Sequence, residues 1–110
     1  LGDVYKRQRY WGVGGNPADG VDSTFLLALA GSELGDSKAK TFTVNAAAGQ
    51  YIWYAIPHSF GTPTFKVGGF EGGFNLVKTF DHTNASGATV SYDVWQSTNA
   101  GLGNTTVNAA

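Results

Sequence analysis

Two histidines, His58 and His82, are the side chains best suited to moving protons or holding a metal ion near neutral pH. Neither stands in a spaced metal-ligand motif, and both fall in segments whose composition is typical of turns. Ser59 follows His58 directly, but neighbouring side chains of an extended chain point to opposite sides, and no Gly-x-Ser-x-Gly elbow surrounds this serine. The spacing therefore favours structural roles for all three residues.

Acidic residues form the second group of candidates. Four of them surround the single predicted helix: Asp19, Asp22, Glu33 and Asp36. Converging carboxylates are typical of calcium sites, but this spacing matches no EF-hand loop. A helix cap at Asp22, with solvated charges at the other three positions, accounts for the cluster more simply. We therefore predict no metal site here.

Asp81 and Asp93 are the two carboxylates that a glycoside hydrolase would have to pair. Such enzymes hold two carboxyl groups at a defined separation across a cleft, and the sequence does not fix that separation. Because the chain carries no further catalytic pattern, we expect a protein that is not an enzyme and that needs no cofactor.

Paired glycines at two neighbouring positions invite comparison with a phosphate-binding loop. The four residues are Gly68, Gly69, Gly72 and Gly73. A P-loop would also need a following Lys-Ser/Thr and a helix, and a dinucleotide-binding loop has its own spacing; neither is present. The pairs predict sharp turns between strands, with Phe70 and Phe74 anchoring them.

Aromatic residues offer the last kind of chemistry, which is stacking on a sugar or on a protein partner. Tyr51, Trp53 and Tyr54 lie close together in one apolar run, where core packing competes with a sugar-binding platform. We regard the three tryptophans, Trp11, Trp53 and Trp95, as candidate contacts with a partner subunit or a glycan. As interface anchors, Trp11 and Trp95 are expected to be partly exposed in the isolated domain.

The segment 49–74 is expected to organise the fold. Residues 50–56 form a near-continuous apolar run that predicts a central strand with both faces covered, and Pro57 must end its ladder. A connection over 58–62 then leads to a second strand at 63–67, and we predict that the two strands form a hairpin.

Further strands are predicted at 9–13, 40–46, 74–80, 89–96 and 105–108, the last as an edge strand, with a polar turn at 81–87. Strand 40–46 is expected to pair with the opening of segment 49–74. In strand 89–96, Trp95 falls on the face opposite Val90, Tyr92 and Val94.

One helix is predicted after an N-cap at Asp22 or Ser23, with Phe25, Leu26 and Leu29 on one face and Gly31 as its stop. With about seven short strands, the pattern predicts an all-β fold: a small antiparallel β-sandwich with one short helix near the N-terminus.

The composition narrows the function classes. With 110 residues, 42% of them hydrophobic and 14% charged, the chain is long enough for a single folded domain. It contains no cysteine, which rules out disulfides and thiolate metal sites. A formal net charge of −1 makes a nucleic-acid surface unexpected. No apolar run approaches the roughly 20 residues that a bilayer requires, so no membrane insertion is expected.

Residues 1–8, LGDVYKRQ, resemble the translation of a transposase end sequence used to prepare sequencing libraries. We therefore predict that this segment is a non-native scar and exclude it from the fold. Residues 9–110 are expected to form the domain, as the C-terminal part of a longer protein.

Several strings follow one another along the chain: YWGV, AKTFTVNAAAGQYIWYAIPHSFGTPTF, VGGFEGGF and SYDVWQSTNAGLGNTTV. Together they resemble a domain that is common in virion structural proteins of tailed bacteriophages. The resemblance covers residues 10–107. Its most distinctive parts are Gly-Gln-Tyr-Ile with the following Tyr-Ala-x-Pro, and the doubled Gly-Gly-Phe.

This resemblance implies a component of a tail, baseplate or fibre that works by assembly or adhesion. It implies location in the virion, after assembly in the host cytoplasm, and other virion subunits as partners, including further copies of the same chain. The alternative is a carbohydrate-binding module that recognises a host-surface glycan. The resemblance supplies no catalytic residue.

Overall fold

The protein is a two-layered antiparallel β-sandwich with one helix, as the sequence predicts. The structure is a computed structural model that describes residues 8–17, 20–35, 37–85 and 87–110. The elements in chain order are β1 (Gln8–Gly14), α1 (Ser23–Ala28), β2 (Gly31–Leu34), β3 (Lys40–Ala46), β4 (Tyr51–Pro57), a 3-10 turn (His58–Phe60), β5 (Phe65–Val67), β6 (Phe70–Glu71), β7 (Phe74–Thr83), β8 (Thr89–Ser97) and β9 (Gly103–Ala109).

Two sheets contain these strands. The five-stranded sheet has the order β2-β1-β4-β8-β7 and the four-stranded sheet the order β3-β9-β5-β6. Of the predicted scar, residues 1–7 lie outside the described residues, and Gln8 is the first residue of β1. Among the described residues, no helix is long and apolar enough to cross a membrane.

Strand β4 lies at the centre of the five-stranded sheet, and both of its faces are buried, as predicted from its apolar run. Ile52, Tyr54 and Ile56 face the other sheet. Trp53 and Ala55 face the opposite way, toward the helix side. Because successive side chains of a strand alternate between faces, a strand without polar alternation needs cover on both.

The core between the sheets is rich in aromatic side chains. Phe42 stacks on Tyr54 with ring centroids 5.3 Å apart, and Phe65 stacks on Phe74 at 4.2 Å. Trp95 is the residue that broke the apolar pattern of its strand, and its ring lies 5.5 Å from that of Phe65. It breaks the pattern because β8, like β4, is covered on both faces.

Helix α1 covers the outer face of the five-stranded sheet. The Asp22 carboxylate accepts a hydrogen bond from the Phe25 amide at 3.0 Å, which confirms the predicted cap. Leu26 is fully buried, and the Phe25 ring packs edge-on against Trp53. The predicted stop at Gly31 is wrong, since the helix ends at Ala28 and Gly31 begins β2.

Three predicted pairings are corrected by the structure. Strand β3 pairs with β9 and not with the opening of segment 49–74. Strands β4 and β5 do not form a hairpin, because the chain crosses between the sheets after Pro57. Strand β9 lies between β3 and β5, so it is not an edge. The period of two in a sequence reports which face is buried, but it does not report the neighbouring strand.

Strands β7 and β8 form a hairpin that is longer than predicted. Strand β7 runs through Thr83 into the segment predicted as a turn at 81–87. Asn84 makes the turn, because its side chain accepts a hydrogen bond from the Ala88 amide at 3.1 Å. Pairing between the two strands shifts register between Leu76 and Lys78.

The paired glycines lie in tight turns. Gly68 and Gly69 connect β5 to β6, and Gly72 and Gly73 connect β6 to β7. All four have φ between 59° and 91°, which side chains other than glycine rarely adopt. Pro57 is the last residue of β4 and pairs with Tyr92.

Arg9 fixes the connection between β2 and β3. Its side chain is buried, and its guanidinium donates to the backbone carbonyls of Gly35 at 3.4 Å, of Ser37, and of Ala39 at 3.0 Å. One cation thus has three backbone carbonyls as partners within this connection.

Replacing this cation should destabilise the fold. We expect Arg9→Met to lower the free energy of unfolding by about 1–3 kcal/mol, because the carbonyls lose charged donors. Lys38→Met is the matched control, since the contact of Lys38 with the Thr62 carbonyl is long, 3.5 Å, and exposed, and it should change stability by less than about 0.5 kcal/mol. Urea unfolding measures both; equal effects would contradict the role of Arg9.

Candidate functional site

An open cleft of about 260 Å³ lies where the two sheets part, between β1, the start of β2 and β3. Its lining residues are Trp11, Gly12, Val13, Ala30, Gly31, Thr43, Val44 and Asn45. Trp11 is half-buried and is the only aromatic residue among them. The lining is therefore mainly apolar, with Thr43 and Asn45 as its two polar residues.

Trp11 is held in place from two sides. Its indole lies directly over Gly31, where an added Cβ would come within 2.1 Å of Nε1. Its ring also stacks on Phe42, with centroids 5.7 Å apart and planes inclined by 27°. Trp11 pairs with Gly31 across β1 and β2, so only glycine at this register lets the indole lie flat over β2.

An ion pair closes one end of the cleft. The ammonium of Lys40 lies 4.9 Å from the centroid of the Trp11 ring, a distance typical of cation–π contacts. It also lies 2.9 Å from Oε1 of Glu33, which links β3 to β2 across the gap between the sheets. Arranged in this way, the cleft is suited to receiving an apolar side chain.

The other two candidate tryptophans are core residues. Trp53 is fully buried, and its Nε1 donates to the Gly15 carbonyl at 3.1 Å. Trp95 is only 9% exposed. Tyr54 is fully buried and Tyr51 half-buried, so the aromatic run of β4 packs the interior and forms no sugar platform. The expected exposure therefore holds for Trp11 and is wrong for Trp95.

His58 and Asp93 form a contact that the sequence did not reveal. Nδ1 of His58 lies 2.9 and 3.0 Å from the two carboxylate oxygens of Asp93, and the Thr79 hydroxyl donates to Oδ1 at 2.8 Å. Asp93 is buried, whereas the His58 side chain is 66% exposed. The buried carboxylate thus obtains the hydrogen-bond partners that burial requires.

Asp81, the other half of the carboxylate pair considered for hydrolysis, is exposed and pairs with Ser91. Asp93 pairs with Thr79 one step along the same face of the hairpin. Asp93 is buried and hydrogen-bonded to His58 and Thr79, whereas the Asp81 side chain is exposed to solvent. Ser59 is exposed within the 3-10 turn.

His82 is buried on the outer face of the five-stranded sheet, contrary to its predicted place in a turn. Its Nε2 lies 2.9 Å from the Tyr10 hydroxyl, and its ring packs edge-on against Tyr10 and Tyr92. Nδ1 has no hydrogen-bond partner among the described residues. Burial lowers the pKa of His82, because a charged imidazole would lose its hydration there.

Two of the four acidic residues considered for calcium have other partners. Asp22 caps α1, and Glu33 pairs with Lys40. Asp19 and Asp36 lie outside the described residues. No group of three or more potential metal-ligating side chains occurs within the part of the chain that the structure describes.

Comparison with known protein families, with curated proteins and with solved structures found no match to this chain. The Trp11 cleft and the sequence resemblance are therefore the basis for a proposed function.

The fit between Trp11 and Gly31 can be tested by adding one methyl group. We expect Gly31→Ala to displace the indole, to lower the free energy of unfolding by about 1–3 kcal/mol and to increase quenching of tryptophan fluorescence by acrylamide. Gly15→Ala is the control, because a Cβ there meets no heavy atom within 4 Å. Similar quenching in the two variants would contradict the placement of Trp11.

Buried His82 should make stability depend on pH. Its pKa in the folded protein lies below the ordinary value of 6.5, so the unfolded chain takes up a proton first. The free energy of unfolding should therefore be highest above about pH 6.5 and fall as the pH drops below it. Urea unfolding between about pH 7.5 and 5 measures this loss, which His82→Gln should reduce because glutamine does not titrate. An equally steep fall in the variant would refute the assignment to His82.

Proposed function

We propose that this domain is a non-enzymatic structural module of a tailed-phage virion, where it makes subunit contacts or mediates adhesion in a tail structure. The observation that carries the proposal is the Trp11 cleft, an aromatic recess at the open edge of the sandwich. Recesses of this kind receive side chains of a partner, and aromatic anchors dominate the energy of such contacts.

The sequence strings that resemble phage virion domains have structural roles in this fold. The string GQYIWYAIP contains β4, the central strand, and the doubled Gly-Gly-Phe makes the two turns around β6. The resemblance thus rests on residues that the fold requires, which supports a shared architecture. Location in the virion and partnership with other virion subunits are part of the same proposal.

Trp11 is the interface anchor in this proposal, and Trp95 is not. A residue that contributes to a contact surface must be accessible before the partner arrives, and Trp11 meets this condition. Trp95 supports the core against Phe65. Its truncation would therefore report on stability and not on association.

Recognition of a host-surface glycan is the second candidate, and the same cleft favours it. An indole accessible in a cleft is a surface on which a sugar can stack, and Thr43 and Asn45 are among the residues that line it. However, Phe42 already stacks on Trp11 and Lys40 lies near the ring, so little flat surface remains for a sugar. We therefore rank subunit contact above glycan binding.

The proposed location has a direct test. We expect tail or capsid genes beside the coding sequence, and peptides of this domain in a mass-spectrometric analysis of purified phage particles from the same source. Metabolic genes as neighbours, together with absence of these peptides from particles that yield other tail proteins, would overturn the virion assignment.

A glycan array with the isolated domain separates the two candidates. Under the leading proposal no glycan binds, and Trp11→Ala gives the same blank array as the parent. Saturable binding of a glycan that Trp11→Ala weakens by about tenfold or more would favour the second candidate. Gly15→Ala serves as the control, since it lies outside the cleft lining.

A further inference from the structure

Strand β3 is an open edge of the four-stranded sheet. It pairs with β9 over seven consecutive positions without a register shift, so it is straight and regular. The other three edges among the described strands are short or irregular: β2 has four residues, β6 has two, and β7 shifts register beside Lys78. Proteins usually block long regular edges with charges, proline or bulges. The inner positions of β3 carry none of these.

The backbone groups that β3 presents outward can be identified. The Gly68 amide donates to the Thr106 carbonyl at 3.0 Å, so the polar backbone groups of Thr106 point toward β5. Thr106 pairs with Thr43, and this pair is therefore not hydrogen-bonded through the backbone. It follows that the N–H and C=O of Thr43 point to the open edge, and those of Thr41 and Asn45 do so by the period of two.

Side-chain contacts agree with this orientation. Residues of a pair without backbone hydrogen bonds lie closer together, which brings their side chains into contact. The Thr41 hydroxyl donates to the Asn108 amide oxygen at 2.6 Å, and the Thr43 and Thr106 hydroxyls lie 3.4 Å apart. Both contacts therefore join pairs without backbone hydrogen bonds, as expected if the N–H and C=O groups of Thr41 and Thr43 point to the open edge.

The space beside this edge lies opposite one strand of the five-stranded sheet. Strand β1 lies opposite β3 across the core, and β2 continues the five-stranded sheet beyond β1. The four-stranded sheet has no strand opposite β2. The Trp11 cleft occupies this place, with Thr43, Val44 and Asn45 as one wall and Gly31 beneath the indole.

We propose that β3 accepts an extended segment of a neighbouring subunit, which adds a fifth strand to the four-stranded sheet. Its backbone would hydrogen-bond to Thr41, Thr43 and Asn45, and an inward apolar side chain would enter the cleft beside Trp11. Only another peptide backbone offers donors and acceptors that alternate at the spacing of this edge.

The charges around the Trp11 cleft define which residues the added segment can carry. None of the residues that line the cleft is charged, and Lys40 at its end is neutralised by Glu33. A charged side chain would therefore lose hydration without gaining a partner. The segment that fits is uncharged, with small apolar residues facing inward and residues such as threonine or asparagine facing outward, in line with Thr41 and Thr43.

An intact second copy does not fit this position through its own β3. If the β3 strands of two copies paired side by side, β3 of the second copy would lie opposite β2 of the first. In the second copy, β1 lies opposite its own β3, so it would have to occupy the place that β2 of the first copy already fills. A lone extended segment, such as a tail or loop of the neighbouring subunit, has no sheet behind it and meets no such obstacle.

Amide hydrogen exchange tests the premise in the free protein. The amides of Thr41, Thr43 and Asn45 should exchange fast, whereas those of Phe42 and Val44, which point to β9, should be protected. Uniform protection along β3 would show that the edge is already covered and would overturn the proposal.

Binding is tested with a synthetic probe of about seven residues that alternates valine and threonine, matching the length of β3. Nuclear magnetic resonance titration should show shifts at Thr41, Thr43 and Asn45 and slower exchange of their amides. Because the N–H groups of a strand alternate between its edges, N-methylation of one alternate set should abolish binding and methylation of the other should not. No binding of the unmodified probe, or equal binding of both methylated versions, would overturn the proposal.

A pair of substitutions at one position isolates the backbone contact. Thr43→Pro removes an outward N–H that makes no internal ladder bond, so the fold should persist while the probe binds about tenfold or more weakly. Thr43→Val keeps the N–H and a similar shape, so it should bind like the parent. Unchanged probe binding in Thr43→Pro, with an unfolding midpoint like that of the parent, would refute strand addition.

This inference rests on the proposed assembly role, but the two can fail separately. A domain found in phage particles that does not bind the probe would overturn strand addition and leave the virion proposal intact. A domain that binds the probe but is absent from particles would overturn the virion proposal alone. Glycan binding that requires Trp11 and is indifferent to Thr43→Pro would assign the cleft to a sugar and overturn strand addition.

Discussion

Burial of both faces of β4 is the constraint on which the rest of the structure depends. Seven consecutive residues, Tyr51–Pro57, offer almost no polar side chain, so neither face tolerates water. The four-stranded sheet covers one face and helix α1 covers part of the other. The crossing of the chain after Pro57 follows from the same need, because β5 must return on the opposite layer.

The same constraint governs the buried polar groups. Burial raises the pKa of Tyr54 to about 12, although the Arg9 charge acts in the opposite direction. On the outer face, burial raises the pKa of Tyr10 and of Tyr92 and lowers that of His82. All four groups are therefore kept neutral at pH 7. The buried guanidinium of Arg9 is instead compensated by the backbone carbonyls to which it donates.

The sequence predicted the strands and the helix of this fold better than it predicted which strands pair with each other. The all-β class, the central strand and the Asp22 cap follow from local patterns, since alternation and capping depend on residues close in sequence. The partners of β3 and β5 depend on contacts between distant segments, which no local period encodes. Trp11 was identified as a candidate from its residue type. Its cleft, its contact with Gly31 and the contact between His58 and Asp93 were not predicted, because each joins segments that are distant in sequence.

Unequal numbers of strands in the two sheets create the candidate site. A sandwich with matched sheets closes its core at both edges, whereas here β2 extends past β3, and Trp11 covers Gly31 on its inner face. Selection against aggregation would favour a charge or a proline on β3, yet Thr41, Thr43 and Asn45 are uncharged and free of bulges. An edge that is open, regular and uncharged at its inner positions is exposed to unwanted pairing unless something covers it. The geometry of β3 therefore supports the proposed strand addition.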